Sequence, residues 1–423
     1  MRVAILGFGK SGESAKKILH SMDVSNIDIF DDTKKDYPPI IEIKDDYDLY
    51  VISPGIDANL LNVDPKKITN EIDLAYNLLS KNVNKPSEKI VAVTGTNGKS
   101  TITYLTAQIL KNLKINAVSC GNIGYPFGEA VLENYDMYVV ELSSFQIDLI
   151  KDFKANVSCI SNITADHLDR YKTFKNYLNS KLKIKNITEN RIFALDEEIL
   201  VKNFKSGAKY IDPAFTKFPK LSSNTLYFDN FYVNLEKFTL LGAHNIVNLS
   251  FALLMADSFY HFENDVTYLI ENLKGLPHRC EYVDCIDSKI FVNDSKGTNV
   301  DSTLIALKSF NPPVTLILGG KDKGGDFSDL IQLINEKVSN LILYGSAADV
   351  IEGQLKDFVN CNIIKTFHLK DAVKLAFSES GNNSHILFSP GCASFDQFKN
   401  FEERGEYFKA YVNEIKEIKY ANR

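Results

Sequence analysis

The sequence feature that most constrains the fold is the stretch TGTNGKST at residues 94–101. It follows a short apolar run, Ile90 to Val93, and precedes a helical pattern of about three turns that begins near Lys99. A glycine-rich turn between a strand and a helix is the setting of a phosphate-binding loop, because backbone N–H groups and the helix dipole converge there on phosphate oxygens. The general spacing of such loops would place a glycine at position 93, where Val93 stands, so an ordinary turn is the alternative.

The side chains of this loop have distinct expected roles. Lys99 would contact the β- and γ-phosphates of a nucleotide, and Ser100 or Thr101 would bind Mg²⁺. The strand, the loop and the run Gly-Lys-Ser-Thr together favour a nucleotide site over an ordinary turn with a surface lysine.

Short apolar runs separated by helical patterns recur along the chain, which predicts an α/β fold with mainly parallel sheets and helices on both faces. The other predicted strands are Val3–Leu6, Ile27–Phe30, Leu49–Ile52, Met137–Val140, Val157–Ile160, Lys289–Val292, Val314–Leu318, Leu341–Tyr344 and His385–Phe388.

Three domains are expected in a chain of 423 residues with this pattern. Residues 1–86 form a Rossmann-like domain, 87–275 a central domain with the phosphate-binding loop, and 276–423 a second Rossmann-like domain. The polar stretch KNVNKPSE at 81–88 is predicted to be a linker.

A second glycine loop, GFGKSG at residues 7–12, follows the first predicted strand, and Asp32 lies beyond it. The pattern G-x-G-x-x-G with a later acid is a dinucleotide fingerprint, which raises an NAD-dependent oxidoreductase as an alternative function. The same loop can hold another phosphorylated nucleotide or simply turn the chain.

Composition excludes several classes of function. A net charge of −6 leaves no global basic field for nucleic acid, and six scattered cysteines lack zinc-ligand spacing. The amino terminus lacks a signal-peptide pattern, and no apolar run approaches the roughly 18 residues of a membrane span. We therefore expect a soluble cytoplasmic protein with reduced thiols, which does not bind membranes and acts as a monomer.

Beyond the first loop, the chain resembles the Mur ligase family over essentially all of its length, and within that family the members that add D-glutamate. The motifs that carry the resemblance, in chain order, are TGTNGKST (94–101), GNIG (121–124), ELSSFQ (141–146), NITADHLDRY (162–171), SKLKI (180–184), HNIVN (244–248), GLPHR (275–279), NDSKGTN (293–299), GGKDKGGDF (319–327) and SPGCASFDQFKNFEERG (389–405). TGTNGKST is the family's own form of the phosphate loop, which accounts for Val93.

The resemblance implies an ATP-dependent ligase of peptidoglycan precursor synthesis. Its members transfer the γ-phosphate of ATP to the carboxylate of UDP-N-acetylmuramoyl-L-alanine, and the amine of D-glutamate then attacks the acyl phosphate. Other muramyl ligases and the folylpolyglutamate ligases share the phosphate loop and are the nearest alternatives, although no Asp-Asn-Pro-Arg tract of the diamino-acid-adding relatives is present. A nonhydrolysing nucleotide-binding regulator would require an inert metal site.

The resemblance also assigns metal and catalytic roles. It makes Ser100 and Glu141 ligands of one Mg²⁺, and His167 and a CO₂-carbamylated Lys181 supports of a second Mg²⁺. Lys99, His167 and Lys181 are the implied catalytic residues. Without the resemblance, a strand-end acid, a structural histidine and a solvated helix lysine are the ordinary interpretations.

The remaining implied positions belong to three substrates. The ATP-binding residues are Gly95, Thr96, Asn97, Gly98, Lys99, Ser100, Thr101, Asn248, Arg279 and Asp294, with Asn245 less secure. The residues near the UDP-linked substrate are Ser11, Thr33, Ser53, Pro54, Gly55 and Asn122. The residues around D-glutamate are Lys296, Thr298, Lys323, Ser394 and Phe401. Lys34 stands where an arginine can occur in the family, so bidentate phosphate recognition is not expected there.

Overall fold

The computed structural model describes residues 1–44, 46–240, 242–322 and 324–420. These residues form two compact units. The first comprises Met1–Thr239 and Ala243–Leu273, and the second contains the chain from Lys274 onward.

The first unit begins with a four-stranded parallel sheet of order β2-β1-β3-β4. Its strands are β1 Val3–Leu6, β2 Ile27–Phe30, β3 Leu49–Ile52 and β4 Ile68–Thr69, and its helices are α1 Lys10–Ser21 and α2 Glu71–Asn82. All four residues of β1 are buried, because helices and loops cover both faces of a parallel sheet.

A six-stranded parallel sheet of order β10-β9-β8-β5-β7-β6 follows in the same unit. Its strands are β5 Ile90–Thr94, β6 Ala117–Gly121, β7 Met137–Glu141, β8 Ala155–Ile160, β9 Thr188–Leu195 and β10 Lys209–Ile211. The helices between them are α3 Lys99–Asn112, α4 Phe127–Glu133, α5 Ser144–Leu149, α6 Leu168–Tyr171, α7 Phe174–Leu182, α8 Ile184–Ile187 and α9 Glu198–Phe204. The strand before the phosphate loop, β5, is buried throughout and lies between β8 and β7.

The first unit also contains a small sheet that was not predicted from the sequence. Its strands are β11 Lys220–Ser222, β12 Thr225–Tyr227, β13 Phe231–Asn234 and β14 Asn264–Asp265. The first three pair antiparallel, and β14 pairs parallel to β13. The long apolar helix α10 Ala243–Tyr260 packs against α3.

The second unit contains a six-stranded sheet of order β15-β16-β20-β17-β18-β19. Its strands are β15 Glu281–Ile286, β16 Lys289–Asn293, β17 Val314–Gly319, β18 Val338–Tyr344, β19 Asn362–Thr366 and β20 Ser384–Gly391. Only the β15–β16 pair within this sheet is antiparallel. Its helices are α11 Val300–Lys308, α12 Ile331–Lys337, α13 Ala348–Leu355, α14 Leu369–Glu379 and α15 Phe401–Tyr420.

The predicted α/β fold class is confirmed, and every predicted strand is present with its bounds within three residues. Single 3₁₀ turns occur at Ile40–Glu42, Ala58–Leu60, Pro65–Lys67, Pro86–Lys89, Lys205–Gly207, Leu235–Lys237, Thr267–Leu269 and Phe327–Leu330. The predicted linker at 81–88 is partly structured, because α2 extends to Asn82 and Ser87 is buried. The division into three domains, with boundaries near residues 86 and 275, stays a prediction. Across the described part of the chain, no helix is both long and apolar enough to cross a membrane.

Candidate active site

The loop of residues 94–101 connects the carboxyl end of β5 to the start of α3. Two of its glycines are required by backbone geometry, since Gly95 has φ +137° and Gly98 has φ +84°. A Cβ at Gly95 would also overlap Ser161 Oγ, and one at Gly98 would lie 2.7 Å from Asn248 Oδ1. Neither position accepts a side chain without strain, so the close approach of backbone that phosphate binding needs is built into the loop.

The loop is held by the residues that follow the neighbouring strand β8. The backbone N–H groups of Thr96 and Asn97 donate to the main-chain and side-chain oxygens of Asn162, each at 2.9 Å. Ser161 Oγ donates to the carbonyl of Asn97 at 2.5 Å. Lys99 Nζ curls back to donate to Thr96 O at 2.7 Å. The carboxyl ends of two adjacent parallel strands therefore shape one edge of the sheet, as expected for a ligand site.

Glu141 ends β7, the strand on the other side of β5. Its side chain is only 2% exposed, and Asn122 Nδ2 donates to its Oε1 at 2.9 Å. Its Oε2 is buried and accepts no hydrogen bond from any residue that the structure describes. A buried carboxylate oxygen without a donor is costly, and a hard cation is the partner that such an oxygen suits.

The described residues contain no group of three or more His, Cys, Asp or Glu side chains arranged to hold a metal by themselves. A cation beside Glu141 would therefore need other oxygen ligands. Ser100, in the first turn of α3, supplies a hydroxyl, and the phosphate oxygens of a nucleotide would supply the rest. The donor set fits Mg²⁺ bound together with a nucleotide.

Lys181, near the end of α7, has its side chain only 2% exposed. Its Nζ donates to Thr94 Oγ1 at 3.0 Å, and Thr94 Oγ1 in turn donates to the carbonyl of Leu142 at 2.8 Å. Burial lowers the pKa of Lys181 well below its ordinary value, and the nearby cation of Lys99 lowers it further. The amine is thus biased toward its neutral, nucleophilic form.

His167 lies in the segment between β8 and α7, with the left-handed backbone angle φ +51°. Its ring centroid is 4.8 Å from that of Phe145 and 6.3 Å from that of Tyr177, and its Nε2 is 3.5 Å from Asp166 Oδ2. Lys181 Nζ lies 5.7 Å from the same Tyr177 ring. The structure therefore gathers His167 and Lys181 around Tyr177.

Sequence reasoning missed Thr94, Phe145 and Tyr177 as parts of this site. Tyr177 is 1% exposed, and its hydroxyl lies 3.0 Å from Thr96 Oγ1, so it links α7 to the phosphate loop. A signal was available, because Tyr177 precedes Lys181 by four residues and shares its helix face.

The two asparagines predicted near the nucleotide lie at the start of α10. Asn248 Nδ2 donates to Asn245 Oδ1 at 3.1 Å, and Asn248 Oδ1 is the atom that faces Gly98. Both asparagines therefore lie beside the phosphate loop.

The first glycine loop is organised by Asp31 at the end of β2. Asp31 Oδ2 accepts the backbone N–H of Phe8 at 2.6 Å, and Oδ1 accepts Thr33 N, Thr33 Oγ1 and Lys34 N at 2.8, 2.6 and 2.9 Å. These bonds, led by the Thr33 hydroxyl, hold the pKa of Asp31 well below its ordinary value. Asp32, which completed the dinucleotide fingerprint, instead accepts the N–H of Ile40 in a turn.

The other predicted contacts of the UDP-linked substrate lie around the same loop. Ser11 is in the first turn of α1, and Ser53 Oγ donates to Gly7 O at 2.7 Å. Pro54 accepts Arg170 Nη1 at 2.8 Å through its carbonyl, and Gly55 faces open space. Asn122 is further along, held by Glu141.

In the second unit, Asp294 follows β16 and is 5% exposed. Ser389 Oγ donates to its Oδ2 at 2.6 Å, and Cys280 N donates to its Oδ1 at 3.2 Å. Burial outweighs these bonds and raises the pKa of Asp294 to about 6. Arg279 is exposed and adjoins Cys280, so the two predicted ATP-binding residues of this unit lie close together.

The predicted D-glutamate residues also lie in the second unit. Lys296 Nζ is 6.0 Å from the ring centroid of Phe401, Ser394 is buried, and Thr298 lies two residues beyond Lys296 with partial exposure. Lys323 lies outside the described residues.

Arg404, another residue that sequence reasoning missed, ties these segments together. It is fully buried, and its guanidinium donates to Ser295 O at 2.8 Å and to Cys392 O at 3.0 Å. Ser295 precedes Lys296, and Cys392 lies two residues before Ser394. The second unit therefore brings Lys296, Ser394 and Phe401 into one neighbourhood.

Comparison with known proteins shows the family of the chain. The Mur ligase middle domain matches residues 93–256. The UDP-N-acetylmuramoylalanine--D-glutamate ligases of Caldicellulosiruptor saccharolyticus and of Francisella philomiragia subsp. philomiragia are each 34% identical to this chain over 98% of its length, and 99% and 97% of those relatives are covered. The chain belongs to the Mur ligase family. This membership separates it from the NAD-dependent oxidoreductases considered above, and Mur ligases use ATP.

Solved structures of Mur ligases share the fold at low sequence identity. The UDP-N-acetylmuramate-alanine ligase MurC of Thermotoga maritima superposes with a TM-score of 0.59 at 17% identity, covering 98% of this chain and 99% of that one. MurF of Thermotoga maritima gives a TM-score of 0.58 at 16% identity, covering 97% and 95%. These likenesses confirm the Mur ligase fold.

Proposed function

We propose that this Mur ligase joins D-glutamate to UDP-N-acetylmuramoyl-L-alanine with ATP, through an acyl phosphate. The full-length relatives support the choice of substrates, because they carry the name of that reaction. The observation that carries the chemistry is the buried, donor-free Oε2 of Glu141 beside a glycine loop whose backbone suits phosphate. A carboxylate needs activation because its leaving group would otherwise be oxide.

Glu141 and Ser100 are the proposed ligands of a first Mg²⁺, with His167 and Lys181 supporting a second. Bound there, Mg²⁺ would neutralise the charge of the triphosphate and of the approaching carboxylate. Asn122 holds Glu141 through a 2.9 Å hydrogen bond, which leaves Oε2 directed away from Asn122. Asn122 would thus help to orient this carboxylate when a cation is bound.

Lys181 is proposed to carry the carbamate. Its buried amine has a lowered pKa, and a neutral amine is the form that adds to CO₂ with loss of a proton. The adduct is an anion, so the cation of Lys99, which disfavours a charged Lys181 ammonium, would favour it. Lys99 therefore opposes the unmodified ammonium and favours the carbamate, whereas burial disfavours both charged forms and the carboxylates of Glu141, Asp166 and Asp148 favour the ammonium. A bound cation would offset these effects on the carbamate.

The other residues of the first unit bind and orient the reactants. The backbone amides of residues 98–100 and Lys99 would hold the β- and γ-phosphates, so that a carboxylate oxygen of the muramyl substrate attacks the γ-phosphorus and ADP leaves. His167 is proposed to lie at the resulting acyl phosphate. The neutral amine of D-glutamate then attacks the acyl carbon, inorganic phosphate leaves, and the amide nitrogen loses a proton.

In the second unit, Arg279 and Asp294 are proposed as nucleotide-binding residues. Lys296, Thr298, Lys323, Ser394 and Phe401 are proposed to bind D-glutamate. Two carboxylates need cations and hydroxyl or backbone donors, which this set provides. Action in the cytoplasm as a monomer stays a prediction.

The proposal is tested by measuring phosphate release and amide formation with each substrate omitted in turn. D-Glutamate is compared with L-glutamate, L-alanine and diamino acids at equal concentration. We expect product only when ATP, magnesium, the muramyl substrate and D-glutamate are all present. Release that ignores the identity of the amino acid would contradict the substrate assignment.

A further inference from the structure

Arg170 connects two parts of the first unit that the proposed function uses separately. It lies in α6, three residues after His167, and its guanidinium reaches the turn of residues 53–56. Nη1 donates to Pro54 O at 2.8 Å, and Nη2 donates to Ile56 O at 3.1 Å. The two acceptors flank Gly55, so one planar side chain holds both ends of this short segment.

The same turn supports the first glycine loop. Ser53 Oγ donates to Gly7 O at 2.7 Å, and Ile56 N donates to Ser53 O at 3.0 Å. The turn and the loop carry most of the residues proposed to contact the UDP end of the muramyl substrate. Arg170 therefore holds the turn of residues 53–56 by hydrogen bonds to the backbone of that turn.

On its other side, Arg170 packs on the aromatic group that surrounds His167. Its guanidinium carbon lies 4.2 Å from the ring centroid of Phe145, which is a cation–π contact. The Phe145 ring lies 4.8 Å from the His167 ring and stacks on Tyr171 at 5.7 Å. A displacement of the guanidinium would therefore also displace the Phe145 ring, which packs against His167.

We infer that Arg170 is a positioning residue that keeps the turn of residues 53–56 in register with His167, so that binding the nucleotide end of the muramyl substrate places its carboxylate at the site of phosphoryl transfer. This inference rests on the proposed function and assigns a role to a residue outside the nucleotide, metal and amino-acid contacts. Arginine suits the role because its planar fork donates to two carbonyls while its face covers a ring.

The test uses steady-state kinetics of amide formation on the full chain with Arg170→Met, Arg170→Lys and Phe145→Leu. Arg170→Met keeps an apolar stem over Phe145 but removes both donors. We expect the KM for the muramyl substrate to rise about tenfold and kcat to fall about tenfold, with the KM for ATP changed less than about twofold. Arg170→Lys, which keeps one donor, should fall between wild type and Arg170→Met.

Phe145→Leu separates the two sides of the contact. It leaves both carbonyl acceptors available to Arg170 but removes the ring between the guanidinium and His167. We expect kcat to fall about tenfold while the KM for the muramyl substrate changes less than about threefold. The matched control is Arg191→Met, because Arg191 is an exposed arginine of the same unit on β9. It should have wild-type constants.

KM is the decisive readout because it does not depend on the fraction of enzyme that is folded, whereas an arginine that only stabilises the fold would lower kcat alone. An unchanged KM for the muramyl substrate in Arg170→Met and Arg170→Lys would overturn the inference. So would an equal rise of the KM values for all three substrates, or a raised KM with wild-type kcat. Failure of the wild-type chain to form the amide would instead reject the proposed function.

Discussion

At the scale of single residues, the site depends on a few charged groups that the protein removes from water. Lys181 and Glu141 are each 2% exposed. Lys181 Nζ donates to the hydroxyl of Thr94, and Glu141 Oε2 accepts no hydrogen bond from the residues that the structure describes. Such groups are expensive to bury, and they are retained where a ligand or a chemical modification completes them. Lys99 and Lys181 can each be tested.

Replacing Lys99 with alanine should reduce amide formation by about 10³-fold or more, because a cation at the transferring phosphates is lost. The fold should persist, since Lys99 is partly exposed in the first turn of α3. The measurement is phosphate release together with the thermal midpoint. Lys111→Ala, in the last turn of the same helix and exposed, is the control and should retain wild-type turnover.

Carbamylation of Lys181 should be visible directly. Protein equilibrated with ¹³C-labelled bicarbonate should show one slowly exchanging carbamate carbon resonance, because burial lowers the pKa of the amine and shields the adduct from water. Lys181→Met should lack the resonance. Lys183→Met, which removes a half-exposed lysine paired with Asp148, should keep it. A wild-type spectrum without the resonance would count against the carbamate.

At the scale of elements, the first sheet is joined to the central sheet by helices α1, α2 and α4. Glu71, the first residue of α2, is buried between them and accepts Gly128 N at 2.5 Å and Ser14 Oγ at 3.1 Å. Gly128 allows α4 to approach α1 closely, since a Cβ at this position would overlap Ile18 and lie 2.6 Å from Ser14 Oγ. Two predictions follow from this junction.

Glu71 should make stability depend on pH. Burial raises its pKa to about 7, above its ordinary value of 4.5, and the neighbouring Glu129 also raises it, whereas hydrogen bonds from Gly128 and Ser14 oppose the shift. The folded state therefore holds the proton more tightly than the unfolded chain. As the pH rises from about 4.5 to about 7, the free energy of unfolding should fall by an amount on the order of 3 kcal/mol. Above pH 7, Glu71 should contribute little further change.

The check is the thermal midpoint of wild type and Glu71→Gln between pH 5 and pH 8. Glutamine keeps an acceptor but does not titrate, so the variant should gain stability relative to wild type as the pH rises. Glu88→Gln, at an exposed carboxylate, is the control. If the thermal midpoints of wild type and Glu71→Gln differ by the same amount at pH 5 and at pH 8, the raised pKa of Glu71 is refuted.

Gly128→Ala should destabilise the first unit by about 1–3 kcal/mol, because an added methyl group overpacks the α1–α4 contact. Gly353→Ala is the matched substitution in the second unit. Gly353 lies inside α13 with no atom within 4 Å of an added Cβ, so alanine should stabilise that helix by about 0.5–1 kcal/mol. Urea unfolding of the two variants measures the change in the free energy of unfolding for each. A change of the same sign and size in both variants would contradict the packing argument.

At the scale of the whole molecule, ten strands of the three larger sheets were predictable because they are short, mainly apolar runs between helical patterns. The other strands of these sheets, β4, β6, β9, β10, β15 and β19, were not predicted. For example, β9 begins with the polar residues Thr-Glu-Asn-Arg, and β19 has exposed residues along its length. Val3–Leu6, Ile27–Phe30 and Leu49–Ile52 have the bounds that were predicted. The small sheet of β11–β14 was missed because its strands have two to four residues, too few for alternation to be recognised.

The site was predictable only where one motif contains the chemistry. The phosphate loop is local, whereas the metal role of Glu141 was implied by the family resemblance, because a strand-end acid alone has an ordinary interpretation. The links from Thr94 to Lys181 and from Arg170 to Pro54 join residues far apart in sequence, at 3.0 and 2.8 Å. They depend on which strands become neighbours and on which helices pack above them, and no local pattern specifies that. Asp31 rather than Asp32 organises the first glycine loop because β2 ends at Phe30.

The central claim is that a nucleotide held by the loop of residues 94–101 phosphorylates the substrate carboxylate. The most direct test uses UDP-N-acetylmuramoyl-L-alanine labelled with ¹⁸O in that carboxylate, together with ATP, magnesium and D-glutamate. Mass spectrometry of the released phosphate should show one ¹⁸O atom for each amide formed, because the carboxylate oxygen becomes the bridging oxygen of the acyl phosphate and leaves with the phosphoryl group. Amide formed with unlabelled phosphate would contradict this account.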